Sequence, residues 1–473
     1  MDCYVPERRK ASRSRQVAAA LTPEHRPAEE ALKYSLSEAI FWIAAYLLLA
    51  LAPLALALLG QLPESRSFGI ELGVMFGLLA YGVLHLQLLV TGRYTWFAQG
   101  FGHDTLLQFH RQTGIFALLL IVAHPTTLFL ADSRYMAWLD PRVDALRALS
   151  LGFVLTAALV LVASSLWRVS LRLSYEWWRL VHGALGVLIV ATGLGHLLLV
   201  GHYSGSLWKQ IAFVTITCAA AYLVLHSRIV RPLRARRHPH RVVEVRKDRA
   251  EATTLVLEPE GEPEGEDRLR FRPGQFIMLT LGDSPLSMQQ HPFSIASSSL
   301  QRRLELTVSP SGDFTSALAK VAPGTRAWLE GPYGSFTHDV DKCRGAVFIA
   351  GGVGITPSMS MLRTYRERGA KFPIVLLYGS KSWDEVIFRE ELEGMEQAMQ
   401  LKVVHVLEDV PEGWSGETGY MDAALLERHL PRDQGEFEYF ICGPEPLMDA
   451  VEPLIIERGI SPRRVYSERF NMV

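Results

Sequence analysis

The stretch HRQTGIFALLLIVAHP, residues 110–125, carries a histidine at each end of an apolar run. An α-helix advances about 1.5 Å and 100° per residue, so the fourteen steps from His110 to His124 rise roughly 21 Å and return to within about 40° of one face. A hydrocarbon core is about 30 Å thick, which would leave the two imidazoles near its opposite sides. The run VHGALGVLIVATGLGH, residues 181–196, repeats the device: His182 and His196 are also fourteen apart.

Both runs belong to a larger pattern. Six apolar segments are long enough to cross a bilayer, near 36–59, 69–91, 110–131, 148–167, 178–200 and 207–228. Arg8, Arg9, Arg13 and Arg15 precede the first, Arg93 and Arg111 flank the second connection, and Arg168, Arg172 and Arg179 flank the fourth. Arg228, Arg231, Arg234 and Arg236 follow the sixth. This asymmetry predicts a multi-pass protein of the cytoplasmic (inner) membrane with both termini in the cytoplasm. A polar stretch of 35 residues precedes the first span, so no cleavable signal is expected. The basic run RRKASRSR reads as a cytoplasmic flank, and a net charge of −1 argues against a nucleic-acid partner.

Spans three and five run in the same direction. His110 is therefore expected level with His182, and His124 with His196. Two imidazoles facing each other across a helix bundle bind one haem iron axially. Two such pairs predict two b haems stacked across the membrane, with Arg111 and Arg179 near the propionates of the inner one. The four cysteines, Cys3, Cys218, Cys343 and Cys442, are too scattered for an iron–sulfur cluster, and no CxxCH offers thioether links. His85, His103, His202 and His226 are expected to be hydrogen-bonded packing residues, with His202 the runner-up for the outer ligand on the fifth span although its gap of twenty from His182 breaks the match.

After Pro232 the period changes to alternating strands, RVVEVRKD, TTLVLEP, QFIMLTL and RRLELTVSP, which predict an antiparallel β-barrel. From residue 345, apolar strands ending in glycine-rich turns alternate with helical segments and predict a parallel α/β sheet. The expected organisation is a polar tail over 1–35, a helical six-span transmembrane bundle over 36–230, a β-barrel over 231–338 and a Rossmann-like domain over 339–473.

Three glycine-containing turns follow strands. In GDFT, the amides around Gly312 and the Thr315 hydroxyl suit a pyrophosphate. In GGVGITP, Gly351, Gly352 and Gly354 let the backbone approach a dinucleotide, with Thr356 as N-cap and Pro357 as the first helical residue. After LLYG, Ser380 and Lys381 suit a 2′-phosphate, which favours NADPH over NADH.

Paired histidines on spans three and five, HPFSIAS at 291–297, GGVGITP, CGP at 442–444 and ERF at 468–470 together resemble the ferric reductase and NADPH oxidase superfamily, in a bacterial form. The resemblance covers roughly residues 36–473 and implies FAD and NAD(P)H as further cofactors. It implies that Phe293 packs against the isoalloxazine, that Ser294 hydrogen-bonds near N5, and that His291, next to Pro292, approaches the FAD phosphates. It places Cys442, followed by Gly443 and Pro444, beside the nicotinamide. Glu468 would serve the nicotinamide or a proton path, and Phe470 would cover the flavin face.

The expected activity passes electrons from cytoplasmic NAD(P)H through FAD and two haems to an outer one-electron acceptor. That acceptor is O2, giving superoxide, or alternatively a ferric chelate. Two axial histidines fill the iron, so O2 would react at the haem edge. Some oxidases of the family carry a cationic residue near that edge and a further histidine one turn beyond the outer ligand; here that position is Leu128, with Arg66 at the margin. A membrane anchor for a soluble flavin reductase would explain residues 240–473 but not the histidine pairs. Membrane lipid is the one further partner expected, and oligomeric state is not legible.

Overall fold

The computed structural model describes residues 36–94, 103–237, 239–261, 269–337, 344–431 and 437–469. The six apolar runs form six long helices: α1 (Leu36–Leu58), α2 (Phe68–Val90), α3 (His103–Ala131), α4 (Ala145–Leu166), α5 (Tyr175–Val200) and α6 (Leu207–Leu225). Each is long and apolar enough to span a membrane. Helix α3 starts seven residues before its predicted start at His110. Hydropathy marks only the part of a helix that suits lipid, and the polar turn before it stays invisible to that signal. The tail over 1–35 lies outside the described residues, as does the predicted domain boundary at 338/339.

Helix α2 is the central element. Half of its most apolar window is buried, against 11–17% in the other five spans. Glycines explain how neighbours come so close. A Cβ on Gly69, Gly73 or Gly77 would fall 2.8, 3.0 and 2.8 Å from Ala131, Leu128 and His124 of α3 respectively. Small residues repeated every fourth position let membrane helices pack backbone to backbone. The outward faces of the bundle, including Phe41, Leu48, Leu130 and Leu149, are exposed, as lipid contact requires.

Helix α6 does not stop at Leu225. It continues through a π turn, His226–Val230, into a short helix, Arg231–Arg234, that leads to the first strand. Pro232, which has no N–H to give to the preceding turn, follows directly on the π turn.

Six strands follow: β1 (His240–Lys247), β2 (Thr253–Pro259), β3 (Phe276–Leu281), β4 (Gln290–Ser294), β5 (Leu304–Val308) and β6 (Arg326–Tyr333). They pair antiparallel in the order β4-β3-β6-β1-β2-β5. Just beyond β4, Ala296 N donates to Glu305 O of β5 at 2.7 Å, which curls the sheet into the predicted barrel. Val242, Leu255, Leu257, Ile277, Leu279 and Leu306 fill its interior.

The last domain is a parallel sheet, β10-β9-β8-β7-β11-β12, with β7 (Ala346–Gly351), β8 (Ile374–Ser382), β9 (Leu401–Asp409), β10 (Glu417–Thr418), β11 (Glu438–Gly443) and β12 (Val465–Arg469). Every residue of β7 is buried because separate apolar cores cover both faces. Helix α7 (Thr356–Glu367), after β7, also joins this domain to the barrel. Its Arg363 donates to Ala296 O and Glu305 of the barrel, each at 2.9 Å, and to Glu391 of the α/β domain at 2.9 and 2.6 Å. Ser360 Oγ donates to Ser297 O at 2.7 Å.

Candidate functional site

The two histidine pairs meet across the bundle. The rings of His110 (α3) and His182 (α5) have centres 6.1 Å apart, and so do those of His124 (α3) and His196 (α5). An imidazole nitrogen lies about 1.1 Å from its ring centre and binds a metal at about 2.0–2.1 Å, so two imidazoles on one ion put their centres about 6.3 Å apart. Both gaps therefore have the width of one ion. A structural metal takes four protein ligands. Two opposed imidazoles suit an iron whose other positions belong to a flat macrocycle.

The outer pair, on the side away from the β-domains, is backed by α2. His124 Nδ1 hydrogen-bonds to the Gly73 carbonyl at 2.7 Å, which makes Nδ1 the protonated nitrogen and leaves Nε2 as an electron-pair donor. An apolar cavity surrounds this pair. Its lining includes His124, His196, Leu128 and, at one end, Arg66, Arg147 and His202. A mostly apolar slot with a cationic end fits an apolar macrocycle carrying two carboxylates. The sequence placed Arg66 at the margin, yet it reaches the cavity because Glu71 accepts from its Nε at 3.1 Å and from Tyr203 Oη at 2.6 Å. His202 lies in the α5–α6 loop beside Tyr203, and its Nε2 is buried without a partner among the described residues. It is therefore not the satisfied helix contact expected. Burial and Arg66 hold its pKa below the ordinary imidazole value, against Glu71.

The inner pair is held by side chains. His182 Nδ1 lies 3.3 Å from Ser165 Oγ of α4. The Gln87 carboxamide of α2 lies between His110 Nδ1 and Thr113 Oγ1, and which end faces the ring is set by the proton His110 carries. Arg228, within the π turn, acts electrostatically on both His110 and His182 although its side chain is exposed. Neither Gln87 nor Arg228 was anticipated. Of the two arginines that were, Arg179 donates to Met288 O at 2.7 Å, while Arg111 is exposed on α3. His85 is a packing residue as expected, with its two nitrogens 2.7 Å from Tyr81 O and 3.1 Å from Thr217 Oγ1. His226 lies against Tyr94, with ring centres 6.4 Å apart, and the His103 side chain lies outside the described residues.

On the barrel, β4 carries His291, Pro292, Phe293 and Ser294; His291 faces the membrane helices, while Phe293 packs in the barrel core. Pro292 is accommodated because β4 is an edge strand. His291 stacks on Phe314 with ring centres 4.1 Å apart, and faces Tyr175 of α5 at 6.5 Å. Its Nε2 is buried without a partner among the described residues. Burial lowers its pKa, opposed by Glu176 and reinforced by Arg179, so the ring is a neutral hydrogen-bonding group at pH 7. Thr315 behaves differently from the expectation. Its Oγ1 accepts from Ser311 N and Gly312 N, each at 2.9 Å, so those amides are spent on the turn itself.

In the α/β domain the strand ends converge. Cys442 of β11 is fully buried, between Ala350 of β7 and Glu468 of β12 in register. The Glu468 carboxylate reaches the barrel, 3.4 Å from where a Cβ on Gly334 would stand. A Cβ on Gly354 would lie 2.4 Å from Cys442 O, and one on Gly351 would lie 2.8 Å from Pro444. These two glycines are thus required by the close passage of Cys442-Gly443-Pro444. Gly352, by contrast, has φ +53° and open space where a Cβ would stand. Thr356 is the first helical residue, not the N-cap, because a 3-10 turn, Gly352–Ile355, precedes it; Pro357 follows. Ser380 and Lys381 are successive strand residues on opposite faces, Ser380 buried and Lys381 exposed. Phe470 lies outside the described residues.

Comparison with known proteins agrees with this layout. Residues 76–193 match the family "Ferric reductase like transmembrane component", residues 262–337 an "FAD-binding domain", and residues 348–453 an "Oxidoreductase NAD-binding domain". NADH-cytochrome b5 reductase 1 of Mortierella alpina is 26% identical over 201 residues, covering 42% of this chain and 67% of that protein. The glycine betaine monooxygenase reductase subunit of Pseudomonas aeruginosa is 32% identical over 207 residues, covering 42% and 56%. Among solved structures, an Amycolatopsis cytochrome P450 reductase aligns at TM-score 0.43 and 25% identity, covering 49% of this chain and 69% of that one. The chain is thus a ferric reductase-like transmembrane component fused to FAD-binding and NAD-binding oxidoreductase domains, an NAD(P)H-dependent oxidoreductase of the ferric reductase and NADPH oxidase superfamily.

Proposed function

We propose that this protein moves electrons across a membrane, from NAD(P)H on the side of the β-domains to a one-electron acceptor on the other. The observation that carries the proposal is the equal 6.1 Å spacing of two histidine pairs on the same two helices. His110 and His182 would hold one b haem, and His124 and His196 a second. FAD and haem together supply what the polypeptide lacks: a hydride acceptor that releases electrons singly and one-electron centres inside hydrocarbon.

The chain's own residues orient and enclose these groups. The Gly73 carbonyl fixes the His124 tautomer, and Gly77 leaves room for its ring. Arg179, Arg228 and Arg111 supply positive charge on the side of the inner pair. Phe293, Ser294 and His291 hold the flavin, Thr315 shapes the adjoining turn, and Gly352 admits the dinucleotide. Cys442 and Glu468 bound the nicotinamide side, where Phe470 would cover the flavin. Lys381, open to solvent, supports NADPH over NADH. The β-domains lie in the cytoplasm of a bacterial cell, by the positive-inside distribution of arginine.

The acceptor is O2, and NAD(P)H with two O2 gives NAD(P)⁺, two superoxide ions and a proton. Arg66 at the outer cavity, an anion-stabilising group beside a site where negative charge develops, supports this reading. The same arginine, with Arg147, also suits an anionic ferric chelate, which is the second reading. Proteoliposomes given NADPH should reduce external cytochrome c in a superoxide dismutase-sensitive manner, and the purified protein should show split low-spin b bands. Fast ferric-chelate reduction without any dismutase effect would select the second acceptor. Flavin absorbance alone would remove both.

A further inference from the structure

Where the barrel meets the membrane helices, one loop is held in an unfavourable shape. Arg93, just beyond α2, has φ +50°, a left-handed conformation that residues with side chains seldom adopt. Arg231 Nη1 donates to both the Gly92 and Arg93 carbonyls, each at 3.0 Å. The Arg231 guanidinium also lies over the Tyr94 ring, 4.6 Å from its centre. Backbone strain persists only where the surroundings over-determine it.

The strained turn buries a charge. The Arg93 side chain is 11% exposed and faces Glu330 of β6, 9% exposed, at 3.6 Å. Its two terminal nitrogens also reach Gln290 Oε1 at 3.4 and 3.3 Å. Glu330 accepts in turn from Gln290 Nε2 at 2.9 Å and from Tyr333 Oη at 2.6 Å. Burial and the adjacent carboxylate raise the Tyr333 pKa far above the usual phenol range, so it stays a donor. Gln290 opens the strand that continues into His291, Phe293 and Ser294. Arg179 and Arg228 stand near the same cluster.

A buried carboxylate stripped of its partner is far costlier than one that keeps it. Gln290 and Tyr333 satisfy part of Glu330, but among the cluster Arg93 is the cation in ion-pair contact with its charge. We propose that Glu330 is a positioning residue: paired with Arg93, it seats the flavin-binding strand β4 on the membrane domain and sets its placement relative to the inner histidine pair. This rests on the flavin and haem assignments above. Four variants of the full chain in lipid nanodiscs test it: R93E, E330R, E330Q and R93E/E330R.

One readout is hydrogen exchange at residues 286–291, which needs no turnover. The other is the ratio of NADPH-driven haem reduction to NADPH–ferricyanide reduction. R93E and E330R should each raise exchange and lower the ratio by about 100-fold, the scale of a broken buried pair. E330Q, which keeps the shape and loses the charge, should do so about tenfold. Ferricyanide reduction should stay within about twofold, and the double swap should recover to within about fivefold of wild type. Wild-type exchange in R93E and E330Q, or a double swap no better than its worse parent, overturns the proposal. Should R93E not fold, E330Q and the exchange readout decide alone. Loss of haem bands in the wild-type protein would sink the haem assignment, while the exchange result would still judge the latch.

Discussion

The two histidine pairs share one spacing but not one kind of support. The outer pair rests on backbone: a Gly73 carbonyl receives the His124 proton, and Gly77 offers a bare surface for the ring. The inner pair rests on side chains, with Ser165 beside His182, Gln87 beside His110, and Arg228 acting on both. The difference teaches where each can be adjusted. A backbone carbonyl cannot be removed by ordinary substitution, so the outer pair is sensitive to bulk. The inner pair is sensitive to polarity and charge.

Four experiments would break or sharpen that contrast. The largest effect is expected from leucine at any one of the four histidines, which should remove one of two haems. H124L and H196L should leave the inner spectrum intact, and H110L and H182L the outer one, as read by haem-to-protein ratio and low-temperature spectra. Retention of both haems in all four variants would refute the ligand assignment.

Next comes G77V, whose Cβ would fall 2.8 Å from His124 Nδ1. Overpacking costs roughly 1–3 kcal/mol, so outer haem affinity should drop about 10–100-fold while inner affinity holds. An equal loss from both sites would show that the glycine stripe serves the bundle as a whole. Gln87→Leu should weaken the inner haem by about 10–100-fold through loss of the hydrogen bond at His110, and leave the outer haem unchanged. Titration of haem into the apoprotein measures both.

Smallest is R228Q. A cation favours the reduced, less positive iron, so its removal should lower the inner midpoint potential by on the order of 50 mV, with the outer potential fixed. Redox titration resolves the two. A shift confined to the outer haem would reverse the assignment of which pair Arg228 addresses.

The residues that were legible in sequence obey short-range rules. Six spans follow from run length, and the histidine pairs from a repeat of fourteen on two co-directional helices. The strands around His291 and Cys442 follow from alternation and glycine-rich turns. What was not legible involves residues distant in sequence. Gly351 and Gly354 looked like phosphate-facing glycines, but Cys442 and Pro444 occupy the space beside them. Ser380 and Lys381 looked like one site, but strand pleating sends them to opposite faces. The Gly69, Gly73, Gly77 stripe was present in the sequence at small-residue spacing and needed only a partner helix to acquire meaning.

Local periodicity by itself determined the membrane span count, the order of the domains and the positions of four imidazoles along two helices, because helical and strand pitch are properties of neighbouring residues. Tertiary structure alone decided what stands beside those imidazoles: a carbonyl of α2, a carboxamide, and the charge of an arginine in the π turn. It also decided that Arg93 meets Glu330, 237 positions later in the chain. Such contacts depend on how whole elements pack, and no local pitch encodes which of them will touch.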